Sequence, residues 1–279
     1  MSATSPELAS RDVATAILEA ERLIRGYSER ALVAFSGGVD SSVVLALAVR
    51  ALGPASVEAV TAISPSYPAG ELEIAARTAR ELGVAHRTVE THEVEREAYA
   101  RNDVLRCFHC KAELYGVLGR IASGAGAGSA VLAGANADDL GEFRPGLWAG
   151  ERAGIRNPLL ERSIGKDMTR RIARALGLAV AHKPALACLS SRVELGIRIS
   201  PELLARIDRA EAVVRALGFD LVRVRHHVST ARLEVAPEEV EGLEDHPSLD
   251  AALREIRAIG WTEVRIDRDG YRPAGAIPA

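Results

Sequence analysis

Ser36-Gly37-Gly38-Val39-Asp40-Ser41-Ser42 lies between a short apolar run, Ala31 to Phe35, and an apolar helical stretch from about Ser41 to Leu52. Two adjacent glycines let backbone N–H groups approach phosphate oxygens with no Cβ in the way. The helix that follows offers unpaired N–H groups and the positive end of its dipole to the same anion. Ser36, Ser41 and Ser42 add hydroxyl donors, and Asp40 offers the carboxylate oxygen that Mg²⁺ prefers. The loop has no Gly-Lys-Ser/Thr ending, so it is not a Walker-type loop. A tight turn needs one glycine and one cap. Two glycines with three hydroxyls around an acid point to a nucleotide phosphate.

Around this loop, strand-like and helix-like segments alternate. Val57 to Ile63 reads as a strand, Glu71 to Leu82 as a helix stopped by Gly83, and His86 to Glu90 as a third strand. A helix over about Lys111 to Ala122 leads to a strand at Ala130 to Ala133. A further helix carries Met168, Ile172 and Leu176 and ends at Gly177. Such alternation predicts an α/β fold, a parallel sheet covered by helices on both faces. From about Ser200 the pattern changes. A helix capped by Ser200-Pro201 runs to Leu217, followed by strands at Leu221 to Val228 and Ala231 to Val235, a helix at about Asp250 to Ile259 and a strand at Thr262 to Asp267. The division expected is residues 1–195 as the nucleotide-binding domain and 196–279 as a small α+β domain for substrate binding or oligomerisation. Ser123 to Ser129 is Gly-rich but precedes a strand, so it reads as a surface loop and not a dinucleotide motif.

The chain has 279 residues and a net charge of −3. A length of this order buries roughly three quarters of the unfolded surface and needs no disulfide staples. The near-neutral balance argues against a strongly basic nucleic-acid surface. Val43 to Val49, the longest strongly apolar run, falls far short of the roughly 18 residues of a membrane span, and the first residues show no export signal. Three cysteines, an odd count, point to a reducing cytoplasm and to thiols kept for chemistry.

Cys107 and Cys110 stand in Arg106-Cys107-Phe108-His109-Cys110-Lys111, expected just before a helix; Cys188 follows 78 residues after Cys110, in Ala187-Cys188-Leu189-Ser190-Ser191-Arg192. Cationic neighbours and a helix start favour thiolate. Four readings compete. A structural zinc site would need a fourth ligand such as His109. A redox Cys107–Cys110 pair leaves Cys188 unexplained. The thiols can be unrelated and buried. Or three thiolates hold a [4Fe–4S] cluster with one iron left open to sulfide. The residues alone leave these open.

The loop matches the SGGxDS signature of the PP-loop ATP pyrophosphatases. The resemblance implies a HUP-type fold and cleavage of ATP between its α- and β-phosphates, with adenylylation of a substrate oxygen. Taken together, SGGVDSS, RCFHCK, GANADDLGEFRPG (Gly134 to Gly146) and ACLSSR resemble the LarE family, pyridinium-3,5-biscarboxylic acid mononucleotide sulfurtransferases of nickel-pincer nucleotide biosynthesis. The resemblance covers nearly the whole chain. One type of the family sacrifices the sulfur of a single cysteine at the Cys188 position; the other holds a [4Fe–4S] cluster on that cysteine and a C-x-x-C pair. Three thiols resemble the cluster type, with Cys107, Cys110 and Cys188 as its ligands and catalytic residues. The resemblance further implies ATP and Mg²⁺ as cofactors, a small pyridinium mononucleotide as substrate, an external sulfide donor, and a homo-oligomer.

Asn136, Asp138 and Asp139 follow a strand, where ligands bind in parallel sheets, and Asp139 is expected at the ATP–Mg²⁺ site. An Asx turn with solvated acids accounts for Asp138 equally well, and a surface ion pair for Glu142 and Arg144. Arg223 and Arg225 share one strand face, Cα atoms roughly 6.7 Å apart, and can grip a phosphate or carboxylate; the family uses arginines of this strand for its substrate's phosphate. Glu234 on the next strand can instead pair with one of them. Arg192 is expected to contact an anionic substrate or to tune the thiolate; Glu211 and Glu234 can help bind metal or substrate, with ordinary surface acids the favoured reading. Rival functions are a sulfurtransferase that sacrifices Cys188, a tRNA thiolase, an amide-forming synthetase and a non-catalytic nucleotide-binding regulator. The charge argues against tRNA, and no glutaminase segment supplies ammonia.

Overall fold

The computed structural model of the chain describes residues 12–124, 128–141, 143–184 and 187–272. In chain order its elements are α1 (Val13–Tyr27), β1 (Arg30–Ala34), α2 (Val39–Leu52), β2 (Val57–Ile63), α3 (Glu71–Glu81), β3 (Ala85–Glu90), α4 (Glu97–Ala100), α5 (Arg106–Gly124), β4 (Ser129–Leu132), α6 (Pro145–Arg152), α7 (Pro158–Glu161) and α8 (Lys166–Ala175). Then follow α9 (Pro201–Arg215), β5 (Arg223–His227), β6 (Thr230–Glu234), α10 (Val240–Glu244), α11 (Leu249–Gly260) and β7 (Glu263–Ile266).

The chain divides into two compact units. The first comprises Met1–Ile63, Gly70–Thr91 and Cys107–Ala185; the second comprises Ser64–Ala69, His92–Arg106 and Leu186–Ala279. In the first, four parallel strands lie in the order β3-β2-β1-β4. Successive strand side chains alternate between faces, and the two faces build two cores. Ala31, Val33 and Phe35 join Val57 and Ala59 under α1, α2, α3 and α8. Leu32, Val60 and Val131 lie against Tyr115, Leu118 and Ala122 of α5 and Ala149 of α6. This is the expected α/β architecture. Helix α2 explains its apolar composition: Val43, Val44, Leu45, Leu47 and Ala48 are all fully buried, each of the larger ones contributing about 1.5–3 kcal/mol.

In the second unit β5 pairs antiparallel with β6, and β6 parallel with β7. Ser200 Oγ accepts from Leu203 N and caps α9, as its sequence position promises. Leu204, Ile207 and Val214 of α9 are buried, as are Val224, Leu233 and Val264 of the sheet. The segment before Arg106 joins this unit through Asn102, whose Nδ2 donates to Glu194 O (2.8 Å) and Ile197 O (2.9 Å).

Two expectations shift. Helix α5 starts at Arg106 and not at Lys111, so Cys107 and Cys110 lie inside its first turns. Asp103 explains the early start: its Oδ1 accepts from Leu105 N at 2.8 Å, and its carbonyl accepts from Arg106 N at 3.0 Å. The Gly-rich stretch is partly ordered secondary structure, because Ser123 and Gly124 end α5 and Ser129 begins β4; residues 125–127 lie outside the described residues. Among the described residues no helix is long and apolar enough to cross a membrane.

Candidate active site

The turn from β1 to α2 is shaped by its glycines. Gly37 adopts φ +74°, and a Cβ there would come within 3.1–3.3 Å of Ala75 in α3. Gly38 is the N-cap of the 14-residue α2 and has no side chain to compete for the first N–H groups. Ser41 Oγ (3.1 Å) and Ser42 Oγ (2.8 Å) donate to Gly38 O, and Ser36 Oγ lies 3.2 Å from Ser41 Oγ. Ser42 is fully buried. Its hydroxyl therefore braces the loop from beneath.

Across from the loop, the chain leaving β4 brings Asn136. Its buried side-chain Nδ2 donates to Asp40 Oδ1 at 3.1 Å, and its backbone N donates to Asp139 Oδ2 at 3.0 Å. Asn136 thus ties the two carboxylates together. Burial pushes the Asp40 carboxyl above its ordinary range, the Asn136 bond pulls it back, and the charge of Asp139 raises it again. A hard divalent cation relieves a repelling acid pair, so Asp40 and Asp139 fit Mg²⁺ by donor chemistry. Asp138 serves elsewhere. Its Oδ2 accepts from Lys166 N at 2.6 Å and caps the start of α8. Arg144 pairs with Asp139 at 3.1 Å, while Glu142 lies outside the described residues.

Sequence reasoning missed Lys183. Its Nζ lies 3.3 Å from Gly37 O and is paired with Glu71, with the side chain mostly buried. The missing signal was a deficit: a loop without its own lysine needs a cation from elsewhere, and 146 residues separate this one from Gly37.

None of the three thiols is in a disulfide; Cys107 is exposed and the other two are half-buried. Cys107 and Cys110, three positions apart on α5, share a helix face. Three thiols outside any disulfide are the donor set of a [4Fe–4S] cluster with one open iron, so the donor chemistry fits. Cys107 and Cys110 belong to the first unit and Cys188 to the second, and among the described residues no group of three His, Cys, Asp or Glu side chains forms a metal site.

In the second unit the acids are not surface groups as expected: Glu211 is 0% and Glu234 3% exposed. Each pairs with two arginines, one from another element and one from its own. Glu234 pairs with Arg225 (2.9 Å) and Arg232 (3.0 Å), and Glu211 with Arg192 (2.8 Å) and Arg215 (2.6 Å). Arg192, expected at the substrate, is 2% exposed and spent on Glu211 and on the carbonyls of Ala187 and Cys188. Arg223, 7% exposed, is pulled down to about 10 by burial and by the like charge of Arg192. An anion would relieve a cation so placed. Tyr271 lies 5.3 Å from the Arg223 guanidinium and 6.0 Å from that of Arg225.

The asparagine synthase family matches residues 28–125, the stretch that carries the glycine loop. An uncharacterized Synechocystis protein is 41% identical over 91% of this chain and 94% of its own length. An uncharacterized Methanocaldococcus jannaschii protein is 25% identical over 88% of this chain and 92% of its own. The pyridinium-3,5-bisthiocarboxylic acid mononucleotide synthase of Lactiplantibacillus plantarum is 34% identical over 88% of this chain and 87% of its own. With the glycine loop and the acid pair beside it, and with the Lactiplantibacillus synthase 34% identical over most of both chains, the chain belongs to the LarE family, that of this synthase.

Proposed function

We propose that this protein is an ATP-dependent sulfurtransferase that converts the carboxylates of pyridinium-3,5-biscarboxylic acid mononucleotide into thiocarboxylates. The observation that carries the reading is the glycine-capped N-terminus of α2 with the Asp40–Asn136–Asp139 cluster beside it, in a chain with three cysteines outside any disulfide. The substrate is taken from the Lactiplantibacillus relative.

The loop binds the triphosphate through backbone N–H groups at Gly37, Gly38 and the first turn of α2. Asp40 and Asp139 would hold Mg²⁺, which would supply positive charge to offset that of the leaving pyrophosphate. Lys183 exchanges Glu71 for the β- and γ-phosphates. A substrate carboxylate oxygen attacks the α-phosphorus, the α–β bridge breaks, and pyrophosphate carries away the electron pair. The acyl-adenylate is then open to a sulfur nucleophile: the C–S bond forms, the C–O bond to AMP breaks, and the step recurs at the second carboxylate. Arg223 and Arg225, on one face of β5, are assigned to the substrate's phosphate, as the family resemblance implies.

A [4Fe–4S] cluster on Cys107, Cys110 and Cys188 would supply an open iron able to carry sulfide from an external donor. The chain is assigned to the reducing cytoplasm, where such thiols stay reduced, and to a homo-oligomer, as the family resemblance implies. The test is pyrophosphate release with ATP, Mg²⁺ and sulfide, with and without the pyridinium dicarboxylate. Release that depends on the dicarboxylate supports the reading, and substrate-independent hydrolysis refutes it. After turnover, a peptide mass showing dehydroalanine at Cys188 would replace the cluster by sacrifice of that thiol's own sulfur.

A further inference from the structure

The backbone of the Cys188 turn is held by guanidinium groups. Arg192 Nη1 donates to Ala187 O (2.6 Å) and to Cys188 O (2.8 Å). Arg106 Nη1 donates to Ser190 O (2.8 Å), and Arg225 Nη1 to Ser191 O (2.9 Å). Cys188 O also accepts from Ser191 N (3.0 Å) and Ser191 Oγ (2.8 Å), while Leu189 N donates to Ser66 O (2.8 Å).

Arg192 is the centre of this arrangement. Its Nε and Nη2 meet the two oxygens of Glu211 at 2.8 and 3.3 Å. Glu211 in turn accepts from Arg215 Nη2 (2.6 Å) and from Val224 N (3.1 Å) in β5. A continuous path therefore runs from the β5 backbone through Glu211 and the planar Arg192 fork to the carbonyl of Cys188. A buried ion pair is a poor means of stabilisation, since desolvation offsets its attraction. A forked, charge-assisted contact does something that apolar packing cannot: it fixes the direction of a carbonyl.

We propose that Arg192 is a positioning residue. Braced by Glu211, it locks the Cys188 backbone so that the thiol is presented in a single orientation. This rests on the assignment of Cys188 to the sulfur site.

Two variants of the full chain test it. R192K keeps a positive charge for Glu211 but loses the fork, because one ammonium cannot span the carboxylate and both carbonyls. R192M/E211Q removes both charges together, so that folding does not hinge on one unpaired acid. Hydrogen exchange on the metal-free protein, followed at the amides of Leu189, Ser191 and Val193, is expected to accelerate by about tenfold or more in both variants. Exchange elsewhere in the second unit stays unchanged, apart from Val224 in the double variant, whose N–H donates to Glu211. Sulfur transfer by R192K falls by about 10–100-fold in kcat, with the KM for ATP unchanged. Wild-type exchange at these amides overturns the proposal. So does an acceleration spread evenly over residues 187–272, which marks a general structural role. If wild-type protein forms no thiocarboxylate while the local exchange effect is present, the proposed function fails and the positioning contact stands.

Discussion

Gly134 follows β4 at the place where the chain passes the start of α2, and replacing it with alanine perturbs the phosphate loop without touching a functional side chain. A Cβ at this position would lie 2.8 Å from Ser41 N, 3.0 Å from the Asp40 carbonyl carbon and 3.1 Å from Ser41 Cα. Every neighbour is backbone, so no side chain can swing away. Relief requires Asp40 and Ser41 to retreat by on the order of half an ångström from a close-packed interior. Overpacking of this kind costs about 1–3 kcal/mol, which lowers Tm by roughly 3–10 °C in a chain of this size. Asp40 is the proposed Mg²⁺ ligand, and displacing its carboxylate by this much is expected to cost about 10–100-fold in kcat/KM. The assays are calorimetry and pyrophosphate release driven by the dicarboxylate. Gly116→Ala is the control, because a Cβ there meets nothing closer than Arg120 Nη1 at 3.8 Å; it leaves both measurements near wild type. G134A with wild-type Tm and turnover would refute the packing of β4's exit against the nucleotide loop.

Lys183→Met is expected to weaken ATP binding by about 10–100-fold, the range of one charge-assisted bond, while AMP affinity measured by calorimetry stays unchanged because AMP lacks the β- and γ-phosphates. Because burial and Asp139 raise the Asp40 carboxyl, the folded chain holds a proton that the unfolded chain releases, and stability declines as pH rises from the ordinary carboxylate value through the folded one. Asp40→Asn is therefore expected to raise the Tm of the metal-free protein at pH 7 while lowering turnover by about 10²-fold or more; an unchanged Tm contradicts this. His226 is lowered by burial, and its Nδ1 accepts from Trp261 Nε1 at 2.9 Å. The stability tied to its neutral form is present above the ordinary histidine value and lost as pH falls below it, at about 1 kcal/mol for the broken bond. Denaturant titration followed by Trp261 fluorescence in a Trp148→Phe background shows this loss in acid, and His226→Gln reduces it.

The fold was legible where residues act locally. Val57–Ile63 emerged with the bounds expected from its apolar run, and Ser200-Pro201 marked the start of α9 because cap chemistry involves neighbours only. Helix α1 went unread although Ala16, Ile17, Ala20 and Ile24 are spaced for one buried face, since alanine gives that face little contrast. At the site, the glycine loop announced itself through residue types that few other turns require. Buried acids did not. Glu211 and Glu234 resemble surface residues until the arginines of neighbouring elements are brought to them by folding. Arg192 was singled out by its nearness to Cys188, yet its task depends on Glu211, nineteen positions along the chain.

Mass spectrometry of the pyridinium mononucleotide after incubation with the anaerobically prepared protein, ATP, Mg²⁺ and isotopically labelled sulfide probes the chemistry itself. The account predicts two successive exchanges of carboxylate oxygen for labelled sulfur, each accompanied by one AMP and one pyrophosphate. AMP and pyrophosphate formed without any sulfur entering the nucleotide would contradict it.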